Sequence, residues 1–144
     1  MAITYTKIGF NLIADKLRDL LNDEFKGVYI SDAKKEMTSS ESWKIKLLSS
    51  TNELTHRKFE TREYAVNLRY YMEHQNAEKR TEHVLNNVDR MKKHLVDNIA
   101  VNNYWAEVLV DTVEYSVQDE ENEEKPDLSI TDLNLLITAT VAYS

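Results

Sequence analysis

The sequence predicts an α+β fold: a mainly antiparallel sheet of about five strands with two amphipathic helices packed on one face, in the order α-β-β-β-α-β-β. Three observations carry it. Two segments repeat apolar residues at helical spacing, and five others alternate or run apolar over strand-like lengths. A helix divides three strands from the last two, and the remaining links are polar and hairpin-like, which suits helices on one face of an antiparallel sheet. At 144 residues the chain fits one domain, 1–144.

The first helix spans about residues 6–25. Ile8, Leu12, Ile13, Leu17, Leu20 and Leu21 recur on one face, while Lys7, Asp15, Arg18, Asp19 and Asn22 fall elsewhere. Thr6 is the expected N-cap, and Gly27 fits a C-terminal stop because it accepts positive φ. Residues 27–31 form a short β-rich run. The polar stretch 32–42 follows, with Lys34, Lys35, Glu36 and Met37 at its centre. It is longer than a typical connection and poor in apolar residues, so it is expected to be mobile in the free subunit and to order on contact with a neighbour.

Residues 43–48 alternate, placing Trp43, Ile45 and Leu47 on one face. A second polar link, 49–57, leads to the strongest strand, 59–72, where Tyr64, Val66, Leu68, Tyr70 and Met72 alternate with Ala65, Asn67, Arg69 and Tyr71. The second helix covers 76–99, capped by Asn76, with Val84, Leu85, Val88, Met91, Leu95, Val96 and Ile99 as its apolar stripe. A strand over 105–117 carries apolar residues on both faces of its first half, which implies burial on both sides or a bulge. The acidic run 118–127 reads as a solvated hairpin loop, and the last strand, 133–143, puts Leu133, Leu135, Ile137, Ala139, Val141 and Tyr143 on one face. Leu17, Leu20, Leu68, Tyr70, Val88, Leu95, Ile137 and Val141 are expected in one core.

Composition narrows the chemistry. With no cysteine, disulfides, zinc–thiolate sites and thiol nucleophiles are excluded together, and the chain suits a reducing cytosol. The net charge of −7 argues against a generic DNA-binding surface. No stretch approaches the roughly 20 apolar residues of a membrane span, and the residues Met1-Ala2-Ile3-Thr4-Tyr5 lack a signal-peptide pattern. With two glycines, Gly9 and Gly27, no glycine-rich phosphate loop can be built.

No catalytic or cofactor-binding residues emerge, and no metal ligands. His83 and His94 share an azimuth on the second helix but stand roughly 16 Å apart by helix rise, too far to share a metal. His56 and His74 fall in polar links, and the serines Ser39, Ser40 and Ser42 have no nucleophile context. The carboxylates Asp119, Glu120, Glu121, Glu123 and Glu124 lack the ligand spacing and turn glycine of a calcium loop. Arg69 and Tyr71 lie on the face opposite the apolar one. Interface use there is favoured over nucleic-acid stacking, because both residue types are enriched at protein contacts. The candidate subunit or partner interface is therefore Arg69, Tyr71, Lys34, Lys35, Glu36 and Met37.

The order of elements resembles the tail terminator, or tail-completion, proteins of long-tailed bacteriophages, and less closely their neck and head-completion relatives. The long strand Glu63-Tyr64-Ala65-Val66-Asn67-Leu68-Arg69-Tyr70-Tyr71, the helix at 76–99 and the strand Leu133-Asn134-Leu135-Leu136-Ile137-Thr138-Ala139-Thr140-Val141-Ala142-Tyr143 carry the resemblance. It implies a virion protein assembled in the host cytoplasm. Its subunits would form a ring, a hexamer in such families, that caps the tail tube protein and joins it to a head-completion or neck protein. Genome DNA would pass through the lumen without specific binding. The acidic 118–127 segment departs from many members; it either lines such a lumen or faces outward as a solvated loop. Two alternatives stand beside this reading: another non-catalytic assembly or adaptor module, and a small hydrolase or metal enzyme built from His56, His74 and scattered carboxylates.

Overall fold

Backbone pairing carries the strands further than apolar alternation alone reveals. The structure, a computed structural model, describes residues 3–4, 13–25, 27–30, 41–56, 59–100, 105, 107–116 and 127–142. Its elements are β1 (Ile3–Thr4), α1 (Asp15–Asn22), β2 (Val28–Ile30), β3 (Glu41–His56), β4 (Phe59–Glu73), α2 (Ala77–Asp97), β5 (Glu107–Glu114) and β6 (Leu128–Ala142). Four long strands form the antiparallel sheet, in the order β3-β4-β6-β5. The expected α+β class holds, with two differences. The anticipated first strand, β2, joins the outer side of β3 in parallel, and the two-residue β1 precedes the first helix and pairs in parallel with β6.

Residues 49–57, expected as a polar link, are strand as far as His56. Ser50 stands opposite Tyr64, Thr51 opposite Glu63 and Asn52 opposite Arg62. Polarity here reports water beside the ribbon, not the end of pairing: Ser, Thr and Asn side chains leave the backbone ladder intact, and the partner strand satisfies it. Bulges between Leu47 and Ser49 and between Leu54 and His56 bend the strand and shift side-chain parity. Similarly, Glu41 and Ser42, assigned to the polar loop, open β3 opposite Met72 and Tyr71. The last strand begins at Leu128, not Leu133, because Ser129, Thr131 and Asp132 pair with β4 despite breaking the apolar pattern. In β5 the two-faced apolar run resolves as a bulge, between Val110 and Thr112, and the strand is shorter than 105–117.

The helices obey their stripes in part. Ala14 is already right-handed helical before α1, and Leu17, Leu20 and Leu21 are buried. The proposed cap Thr6 lies outside the described residues. After Asn22 the Phe25 amide bonds the Leu21 carbonyl at 2.7 Å, and Gly27 takes φ 73°, the left-handed region that disfavours a Cβ. The Gly27 carbonyl then accepts from the Trp43 amide at 2.9 Å, seating β2 against β3. Asn76 caps α2 as expected, its side chain accepting from the Lys79 amide at 3.0 Å. Of the α2 stripe, Val84, Val88, Met91 and Leu95 are buried, whereas Leu85, Val96 and Ile99 are exposed. A stripe seven residues wide spans more of the helix circumference than a flat sheet can cover.

Both helices pack on one face. Leu17, Leu20, Leu68, Tyr70, Val88, Leu95 and Ile137 share a single apolar cluster with Trp43, Ile45, Val66, Trp105 and Leu133. Val141, the eighth residue expected there, has a side chain outside the described set. Burying each such side chain contributes roughly 1.5–3 kcal/mol. The opposite face of the sheet carries no helix among the described residues.

Candidate functional site

Alternation sorts the strands into two faces, and each has its own polar device. On the helix-free face Arg69 of β4 stands opposite Asp132 of β6, and the pair is bidentate: Nε to Oδ1 at 2.8 Å and Nη2 to Oδ2 at 3.0 Å. These hydrogen bonds, reinforced by the carboxylate charge and outweighing desolvation, raise the affinity of the Arg69 guanidinium for its proton above the usual arginine range. Tyr71, two residues on, accepts a further hydrogen bond from Arg69 and carries the Lys44 ammonium 4.9 Å from its ring centroid. Farther along, Asn67 donates to Asn134 at 3.3 Å, and Asn134 donates to the Thr112 hydroxyl at 2.9 Å. That ladder links β4, β6 and β5. The described residues of this face thus form a set of side chains locked across strands.

Of the residues proposed as interface, Arg69 and Tyr71 both sit on this face. Arg69 is committed to Asp132, and Tyr71 is only 5 % exposed. A partner would therefore meet the rims of these side chains and not free groups. Lys34, Lys35, Glu36 and Met37 lie outside the described residues.

The helix-covered face holds a constellation that sequence reasoning missed. Trp43 of β3 stands opposite Tyr70 of β4, and their rings stack with centroids 4.1 Å apart. The Tyr70 hydroxyl donates to Glu41 Oε2 at 2.7 Å, while Asn87 of α2 donates to the Tyr70 oxygen at 2.7 Å and to Glu41 at 3.2 Å. Burial first, and then the bond to Glu41, pushes the Tyr70 phenol well above its ordinary pKa. On the other side of Trp43 lies Phe25, at 5.2 Å, and the Arg90 guanidinium covers Phe25 at 4.5 Å while bonding the side chain and carbonyl of Glu24. One chain of contacts so ties the end of α1 to β3, β4 and α2. The signal available was that a buried tyrosine needs a partner for its hydroxyl; which partner depends on pairing between distant strands.

The histidines do not converge. His56 ends β3 opposite Phe59, and His74 follows the far end of β4, so about 45 Å of strand separates their backbones. His74 and His83 approach with ring centroids 5.7 Å apart, but His74 Nδ1 already accepts the Asn76 amide at 3.0 Å beside the α2 cap. His94 is half-buried, its Nε2 donating to the Leu20 carbonyl at 2.8 Å and tying α2 to α1. Among the described residues no group of three or more histidine and carboxylate side chains is placed to hold a metal ion, and no helix is long and apolar enough to cross a membrane.

Arg90 and His94 reach α1, and Asn87 reaches β3 and β4, so one flank of α2 is fully engaged. The other flank carries Leu85 at 45 % and Val96 at 66 % exposure. Compared with protein-family models and with curated proteins, the chain matches none at a significant level.

Proposed function

We propose that this chain is a structural assembly subunit that packs with copies of itself into a ring, of the kind that closes the tail tube of a long-tailed bacteriophage and joins it to the neck or head. The observation that carries the reading is the helix-free sheet face. Long antiparallel strands are locked there by Arg69–Asp132, Lys44–Tyr71 and the Asn67–Asn134–Thr112 ladder, which fixes the side chains of this face across strands. Such a face suits contact with protein, where side chains fixed before binding lose little entropy on docking. The resemblance in element order supports the same reading, with the tail tube protein and a head-completion or neck protein as further partners.

The test is the mass and shape of the purified protein. Light scattering after size exclusion, with negative-stain imaging, is expected to find closed rings, hexameric if the resemblance extends to ring size. A monomer at every concentration, also in the presence of tube and neck proteins, would overturn it. A second expectation concerns the genome. DNA has to slide through such a ring, and a chain of net charge −7 offers few phosphate contacts. Anisotropy titration with labelled duplex at physiological salt should show no binding. Micromolar affinity with a steep salt slope would instead favour a nucleic-acid-binding module.

A further inference from the structure

Beyond the ring contact, the free flank of α2 has a pattern that fits its own copy. At about 100° per residue, Leu85, Asp89, Lys92 and Val96 fall within roughly 60° of one another on the helix surface. This stripe is turned away from Asn87, Arg90 and His94, which engage Tyr70, Glu24 and Leu20. It is also distinct from the buried stripe Val84, Val88, Met91 and Leu95. Leu85 and Val96 are exposed. Neither the Asp89 nor the Lys92 side chain takes part in a hydrogen bond or ion pair among the described residues.

The order along the stripe is apolar, acidic, basic, apolar. Turn a second α2 antiparallel to the first about a two-fold axis midway between residues 90 and 91, and each position meets its complement. Leu85 faces Val96 of the second copy, Asp89 comes within reach of its Lys92, and the same two contacts repeat by symmetry. Few stripes have this property; reversing either charge would place like charges together twice. The axis passes between Asp89 and Lys92, so the contact is isologous and stops at two copies, unlike the heterologous contacts that close a larger ring.

We infer that this flank of α2 is a homotypic contact, joining two copies of the chain through an antiparallel α2–α2 pair with Leu85 on Val96 and Asp89 on Lys92. The occupant is a second copy because the complement to the stripe is the stripe itself. One helix pair buries less than the roughly 800 Å² per partner of a standard interface, so the contact is weak and concentration-dependent. It does not depend on the ring reading: it can exist alone or pair two rings.

The experiment is sedimentation equilibrium of the full chain from about 5 to about 500 µM, a range chosen to bracket a weak dimer. Asp89→Lys and Lys92→Asp should each raise the dimer dissociation constant by about tenfold or more, since each creates two like-charge contacts. The double variant, Asp89→Lys with Lys92→Asp, should restore it to within about threefold of the parent, the charges being exchanged and the complementarity kept. Circular dichroism melts of all variants confirm folding, Asp89 being exposed and Lys92 half-buried. Dimerisation unaffected by either single change, or a monomer throughout, overturns the inference. So does a double variant that stays dissociated. A larger ring whose mass ignores all three variants overturns this contact while sustaining the ring reading, whereas a dimer that obeys the swap without any ring does the reverse.

Discussion

The two halves of the β3–β4 pair share one hydrogen-bond ladder and differ in almost everything else. In one half Trp43 stacks on Tyr70 and Ile45 stands opposite Leu68, all buried under the helices. In the other, beyond the bulge at Leu47, Ser50, Thr51 and Asn52 stand opposite Tyr64, Glu63 and Arg62, and the three β3 residues are exposed. Backbone pairing is therefore common to both, and what differs is apolar area removed from water. Hydrogen bonds set the length of a strand here, while side-chain burial sets how strongly that length is held.

The sharpest way to test it is to delete a side chain in the buried half. Leu68→Ala should cost about 2–5 kcal/mol, the range for emptying a well-packed leucine site. Urea unfolding reads it directly, and a loss below about 1 kcal/mol would mean that the helices do not hold this half as the packing indicates.

A smaller effect is expected at Tyr70, whose ring and hydroxyl can be separated. Tyr70→Phe keeps the stack on Trp43 but deprives Glu41 and Asn87 of a partner, for a loss of about 1–2 kcal/mol. The same residue adds a pH dependence. Its pKa is raised in the folded state, so its contribution is complete below the unfolded tyrosine pKa of about 10 and is lost as pH rises towards the folded value. Stability should fall by up to about 1.4 kcal/mol per pH unit above that point, and Tyr70→Phe should flatten the decline. An identical alkaline profile for both proteins would show that the phenol is not the group responsible.

The least effect belongs to the polar half. Thr51→Ala, opposite Glu63 on the exposed ribbon, should change stability by no more than about 0.5 kcal/mol. A loss comparable with that at Leu68 would show that the exposed ribbon is held as strongly as the buried half.

This difference between halves also explains what the sequence disclosed. Residues 59–72 and the stripe through Val84, Val88, Met91 and Leu95 were legible because burial imposes a period, and Asn76 because a cap has a residue type. Ser50 to Asn52 were not, since a strand that water bathes needs no apolar pattern. Leu85 and Val96 misled in the opposite sense: they share the helix but not the side the sheet covers. Of the candidate interface, the face of Arg69 and Tyr71 followed from alternation. The pairing of Arg69 with Asp132, like that of Tyr70 with Glu41 and Asn87, could not be read, because each joins residues whose separation along the chain only the sheet register cancels.

The place of β6 in that register has a consequence for how the chain is made. It lies between β4 on one side and β5 on the other, yet it follows both in the sequence; Phe59 waits for Ala142, and Glu107 for Thr138. During synthesis, at roughly 5–20 residues per second, the β3–β4 hairpin and α2 emerge several seconds before the strand that completes the sheet. In that interval β4 presents a bare inner edge, and Val66 and Leu68 lack their neighbours Leu135 and Leu133. The translating ribosome thus carries an unfinished sheet whose sticky edge is closed only when the fifteen residues of β6 arrive.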